Sequence, residues 1–128
     1  MPQATGSFEV QLMPQPGDDP ALGRLTVGKQ IHGDFDGTSK GEMLTAMTSV
    51  KTSGAYVAVE RLTGTLHGRS GSFVVVHRGF MSGGDQQLEI VIVTDSGTDA
   101  LAGISGTMAI KIDAAGKHTY EIDYALSD

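Results

Sequence analysis

Between Tyr56 and Phe80 the chain carries two runs rich in β-branched and aromatic residues. They read Tyr56-Val57-Ala58-Val59-Glu60-Arg61-Leu62 and Ser72-Phe73-Val74-Val75-Val76-His77-Arg78-Gly79-Phe80, with Gly64, Gly68 and Gly71 breaking the chain between them. Runs of this kind around a glycine-punctuated break predict an antiparallel hairpin. A hairpin is marginal alone, so the rest of the chain must supply more strands. No apolar pattern of helical period extends beyond a few residues anywhere, whereas β-type runs recur along the whole length.

Six further strands are expected, at residues 4–13, 22–35, 38–49, 87–94, 107–113 and 117–126. In the first, Phe8, Val10 and Leu12 alternate with Ser7, Glu9 and Gln11; Pro14, Pro16 and Pro20 then stop it, because proline removes donors and fixes φ. In the second, Leu25, Val27, Ile31 and Phe35 share one parity. Asp36-Gly37 is a two-residue turn signal between the second and third strands. The last strand shows the cleanest half-buried alternation, with Tyr120, Ile122, Tyr124 and Leu126 against Thr119, Glu121 and Asp123. Eight strands joined by short turns predict an all-β fold, a single eight-stranded antiparallel up-and-down barrel whose closure removes exposed edges. At 128 residues the chain fits one such domain spanning residues 1–128.

Charge and composition narrow the partners. The formal net charge is −6 and the nine Lys and Arg are scattered singly, which argues against nucleic acid, whose binding rests on clustered cations. With no cysteine there is no disulfide scaffold, thiolate nucleophile or Cys-based zinc site. His32, His67, His77 and His118 fall on four elements without local ligand spacing, so no metal site is expected. No run approaches the roughly 18 apolar residues of a membrane span, and residues 1–6 lack a secretory pattern. A soluble cytoplasmic protein that does not engage membranes is the expectation.

Several stretches taken together resemble a known family. They are Gly33-Asp34-Phe35-Asp36-Gly37-Thr38-Ser39, Gly71-Ser72-Phe73-Val74 with His77 downstream, Ser96-Gly97-Thr98 through Gly103-Ile104-Ser105-Gly106, and the closing His118-Thr119-Tyr120-Glu121-Ile122-Asp123-Tyr124. The resemblance is to small uncharacterised bacterial proteins with the allene oxide cyclase-like barrel fold. It covers nearly the whole chain and implies an eight-stranded barrel, often oligomeric, with no established activity. Asp99 stands where the plant cyclases and dirigent barrels carry the last glycine of a Gly-Thr-Gly turn; aspartate tolerates positive φ better than most residues, so the turn is expected to survive.

The sharpest candidate chemistry is Glu60 with His77. A hairpin turning about Gly68-Arg69 sets Glu60 opposite His77 on one side of the sheet, where carboxylate and imidazole form a candidate catalytic acid/base pair. A one-residue change of register pairs Glu60 with Arg78 instead and turns His77 to the other face. The plainer reading of the pair is a structural ion pair. Tyr56, Arg78, Tyr120 and Tyr124 are the candidate ligand-binding side chains, the tyrosines offering flat apolar bodies with polar tips; equally, tyrosines fill the lumen of small barrels. Gly37-Thr38-Ser39-Lys40-Gly41 matches a hydrolase elbow pattern, but that motif needs a strand-to-helix turn in an α/β domain.

Three functional readings follow. The first is a barrel that binds an apolar small molecule in its lumen; the second is a cofactor-free isomerase or cyclase in which Glu60 and His77 move a proton; the third is a structural or interaction protein with a filled lumen. The fifth and sixth strands, with Val74, Val76, Ile90, Val91, Ile92 and Val93, are apolar on both parities, which predicts a homo-oligomer joined through them.

Overall fold

A computed structural model describes residues 2–126 and closes eight strands into a barrel. The strands are β1 (Gln3–Pro14), β2 (Leu22–Gly33), β3 (Phe35–Met47), β4 (Gly54–Leu66), β5 (Arg69–Ser82), β6 (Asp85–Ile92), β7 (Ser105–Ile112) and β8 (His118–Ala125). Each pairs antiparallel with the next, and β8 returns to β1 with Gly6 opposite Tyr120. No helix among the described residues is long and apolar enough to cross a membrane.

Two turns differ from the expectation. Asp36 and Gly37 lie inside β3, and the β2–β3 corner is made three residues earlier by Gly33, at φ 105°, and Asp34. Gly37 is needed for close approach instead: a Cβ there would meet the Thr63 carbonyl oxygen at 2.1 Å. The β4–β5 hairpin turns at His67-Gly68, with Leu66 opposite Arg69, so its centre sits one residue before Gly68-Arg69. Both turn residues have positive φ, 46° and 82°, as a two-residue type I′ turn requires. The left-handed histidine is held by its neighbours: its ring Nδ1 and the Tyr124 hydroxyl share a hydrogen bond, and its backbone N–H donates to the Asp34 carbonyl at 3.0 Å.

The seam between β6 and β7 is the shortest, running through Ile90 with Met108 and Val91 with Thr107. After Ile92 the chain crosses onto β5: the Thr98 N–H donates to the Ser72 carbonyl at 2.9 Å, and the Val74 N–H donates to Ser96 Oγ at 3.0 Å. A 3₁₀ turn, Asp99–Leu101, follows, and Asp99 adopts φ 53°. The aspartate therefore takes the left-handed conformation that a glycine would otherwise supply.

This connection gives the barrel two unlike ends. Leu101 and Ile104 plug the end where β3, β5 and β7 begin, against Phe35, Leu66, Phe73 and Tyr120. Phe35 and Phe73 meet edge to face, with ring centroids 5.8 Å apart. The Tyr120 hydroxyl accepts from the Phe35 N–H at 3.0 Å, and the His32 and Phe35 carbonyls lie within its donating reach at 2.9 and 3.0 Å. At the other end β2, β4 and β6 begin, and no comparable plug is present among the described residues. The barrel is thus packed through its closed half and open at the opposite mouth.

Candidate functional site around Glu60 and His77

Strand pleat decides which side chains enter the lumen. On β4, Tyr56, Ala58, Glu60 and Leu62 point inward, and on β5 Phe73, Val75, His77 and Gly79 do so. Glu60 lies opposite Val75, and His77 lies opposite Ala58. The direct Glu60–His77 pairing expected from the sequence is therefore two residues out, because the turn is centred at His67-Gly68. A shift of two preserves parity, so both groups still face inward and meet diagonally. His77 Nε2 lies 2.8 Å from Glu60 Oε2.

Two further groups complete the cluster. Ser39 on β3 sits opposite Lys29 on β2, and both reach Glu60. Ser39 Oγ donates to Oε1 at 2.6 Å, and Lys29 Nζ lies 3.1 Å from the carboxylate. Lys29 also stands 4.6 Å from the centroid of the Phe8 ring, a cation–π contact. The space comes from Gly41, which faces Glu60 on β3; a Cβ there would lie 2.0 Å from the Val59 carbonyl oxygen. Apart from tyrosines, Lys29, Ser39, Glu60 and His77 are the buried polar residues among those described, and they form one network. No fully buried side-chain nitrogen or oxygen there lacks a partner.

The electrostatics keep the Glu60 carboxylate ionised. Burial pushes the Glu60 carboxyl upward, but the His77 hydrogen bond, the Lys29 charge and the Ser39 hydroxyl outweigh it and hold its pKa at about 2. An ionised carboxylate only accepts, so His77 Nε2 carries the hydrogen of their bond. His77 Nδ1 has no protein partner among the described residues and is not among the fully buried unpartnered atoms, so it keeps contact with water-accessible space.

Above this layer lies Tyr56, half-buried, its ring centroid 6.4 Å from that of His77. Burial and the Glu60 charge both raise its hydroxyl pKa. Its ring lies over Gly79, where a Cβ would come within 2.4 Å of it. Tyr56 lines a pocket of about 670 Å³ at the open mouth, with Leu25, Met43, Met47, Phe80 and Leu88 among its walls. That is a volume suited to a small organic molecule.

The remaining candidates lie elsewhere. Arg78 faces outward, is exposed, and holds its guanidinium 5.8 Å from the Phe80 ring centroid, so the strand directs it away from the lumen. Tyr120 and Tyr124 are buried in the closed-end core, with hydroxyls bonded to the β2–β3 corner and to His67. No group of three or more His, Cys, Asp or Glu among the described residues is arranged to hold a metal. Sequence reasoning missed Lys29 and Ser39. The signal was present for the lysine, since Lys29 shares parity with Leu25, Val27 and Ile31 and so interrupts an inward-facing apolar row.

Residues 4–124 match the family described as "Protein of unknown function (DUF3224)". The chain belongs to the DUF3224 family. A crystal structure of a DUF3224 protein of unknown function from Shewanella oneidensis MR-1 superposes with a TM-score of 0.93 at 41% identity, covering 100% of this chain and 98% of that one. Against curated proteins the chain has no match. The whole length of this DUF3224 barrel is thus like that of a solved member of its family.

Proposed function

We propose that the barrel binds a small, largely apolar molecule in its open-end pocket and presents that molecule's polar end to His77. The observation that carries this reading is the stacking of an apolar pocket over the barrel's buried polar network, with one imidazole nitrogen of that network left free. Buried polar groups are costly to place, and an all-apolar interior would serve stability as well or better. A ligand of this class gains affinity from the apolar walls, while the fixed imidazole selects for a hydrogen-bonding group at one end.

A second reading rests on the same imidazole. Glu60 engages Nε2 and so fixes the ring with Nδ1 as the nitrogen turned away from the carboxylate, the orientation that a general base requires. In a cofactor-free isomerisation Nδ1 takes a proton from one atom of the ligand and returns it to another. Glu60 and Lys29 act here as positioning residues. The closed eight-stranded order and the left-handed Asp99 turn support describing the barrel as allene oxide cyclase-like, a likeness of fold that carries no activity.

Native mass spectrometry of the protein purified from its own host, before and after denaturation, tests the binding reading. A bound small molecule is expected in the wild type and its loss in Leu88→Lys, which places a charge in the pocket wall at an exposed position. Ligand-free protein across growth conditions, or an adduct retained by Leu88→Lys, counts against it. Once the molecule is known, His77→Gln is expected to keep binding but lose any turnover of it.

A further inference from the structure

The outer surface of the barrel carries an apolar patch with its own charge pattern. Val59, Val76 and Val91 lie in register side by side across β4, β5 and β6, and are 56%, 37% and 39% exposed. Val57 and Val93 extend the patch to two of its corners, also exposed. A valine-rich stripe on adjacent strands is more than the scattered apolar residues of an ordinary surface.

The other two corners are charged and opposite in sign. Arg61, across from Val74, lies two residues towards the closed end from Val59, on the same face. Glu89, across from Arg78, lies two residues towards the open end from Val91, on the same face. Both are exposed, and neither belongs to an ion pair among the described residues. Arg78, the natural neighbour of Glu89, reaches over Phe80 instead. Arg61 and Glu89 are therefore placed point-symmetrically about Val76.

We propose that a second copy of this chain covers the patch in a two-fold dimer centred on Val76. Face-to-face sheets related by a two-fold axis have that axis in the plane of contact, so each position meets its mirror image across the axis. With the axis through Val76 and perpendicular to the Arg61–Glu89 line, each Arg61 falls over the other copy's Glu89. The valines then form a dry centre, and two charge pairs close the rim and fix the orientation. A partner of different sequence has no reason to match this antisymmetry, whereas an identical copy matches it by construction.

Sedimentation equilibrium on the full chain at about 50 µM, a concentration that detects dimers of micromolar affinity, tests the proposal. Wild-type protein is expected to be a dimer and Val76→Asp a monomer that keeps its circular dichroism and melts cooperatively. Arg61→Glu and Glu89→Arg are each expected to raise the dimer Kd about tenfold, as loss of two rim pairs would. The double variant Arg61→Glu/Glu89→Arg reverses both signs and is expected to restore the wild-type Kd. A monomeric wild type overturns the proposal, as does a dimer indifferent to Val76→Asp. A double variant no more dimeric than its parents overturns the two-fold arrangement.

Discussion

Glu60 is the residue on which the interior depends. It is enclosed by the barrel yet ionised, because His77, Lys29 and Ser39 offset the loss of water. Its folded pKa of about 2 lies below the ordinary value of 4.5, so the stability it contributes is complete above the higher figure and is lost as pH falls towards the lower one. Asp34, lowered by the Thr5 backbone N–H, adds to acid sensitivity, so the informative quantity is a difference between variants. Thermal melts between about pH 5 and pH 2 should show a smaller acid-induced fall in Tm for Glu60→Gln than for wild type. Removing the cation instead leaves the carboxylate underpaired: Lys29→Met should cost about 3 kcal/mol in urea denaturation, and adding Glu60→Gln should return part of it. At this scale the sequence exposed Glu60 and His77 because both stand in apolar strands. Ser39 stayed hidden, since a serine on either face of a strand is unremarkable and only the β3–β4 register, with Gly41 opposite Glu60, sets it beside the carboxylate.

The elements were legible in proportion to their periodicity. Strict alternation in β8 and the dense β-branched runs of β4, β5 and β6 located those strands, and the proline-rich stretch after Pro14 located a loop. Turns were less legible because glycine serves two purposes here. Gly68 sits in a left-handed turn, with nothing near a would-be Cβ, whereas Gly37 and Gly41 allow β3 and β4 to approach. Sequence alone does not separate a glycine that needs positive φ from one that needs space, which is why Asp36-Gly37 resembled a turn. The distinction is measurable. Gly68→Ala should cost about 1–2 kcal/mol from backbone strain alone. Gly41→Ala should cost more and should also disturb Glu60, shrinking the difference between wild-type and Glu60→Gln acid profiles on that background.

At the scale of the whole molecule the barrel is divided between a packed half and an open one. The closed end uses Leu101 and Ile104 from the long β6–β7 connection as a plug, so Tyr120 and Tyr124 belong to the core there. Closure also explains why apolar residues on both parities of β5 and β6 were easy to see and hard to interpret. One parity fills the lumen, and the other forms the exposed valine patch. The central claim is that the open-end pocket communicates with the free nitrogen of His77. Proton–nitrogen correlation spectra of the His77 imidazole, recorded while the pocket is titrated with 1-naphthol as an apolar probe bearing one hydroxyl, test it most directly. Leu88 methyl shifts report pocket filling independently. The account predicts that Nδ1 shifts in step with the Leu88 methyls while Nε2 keeps its proton on the Glu60 side. Leu88 methyls that move while both imidazole nitrogens stay fixed would contradict it.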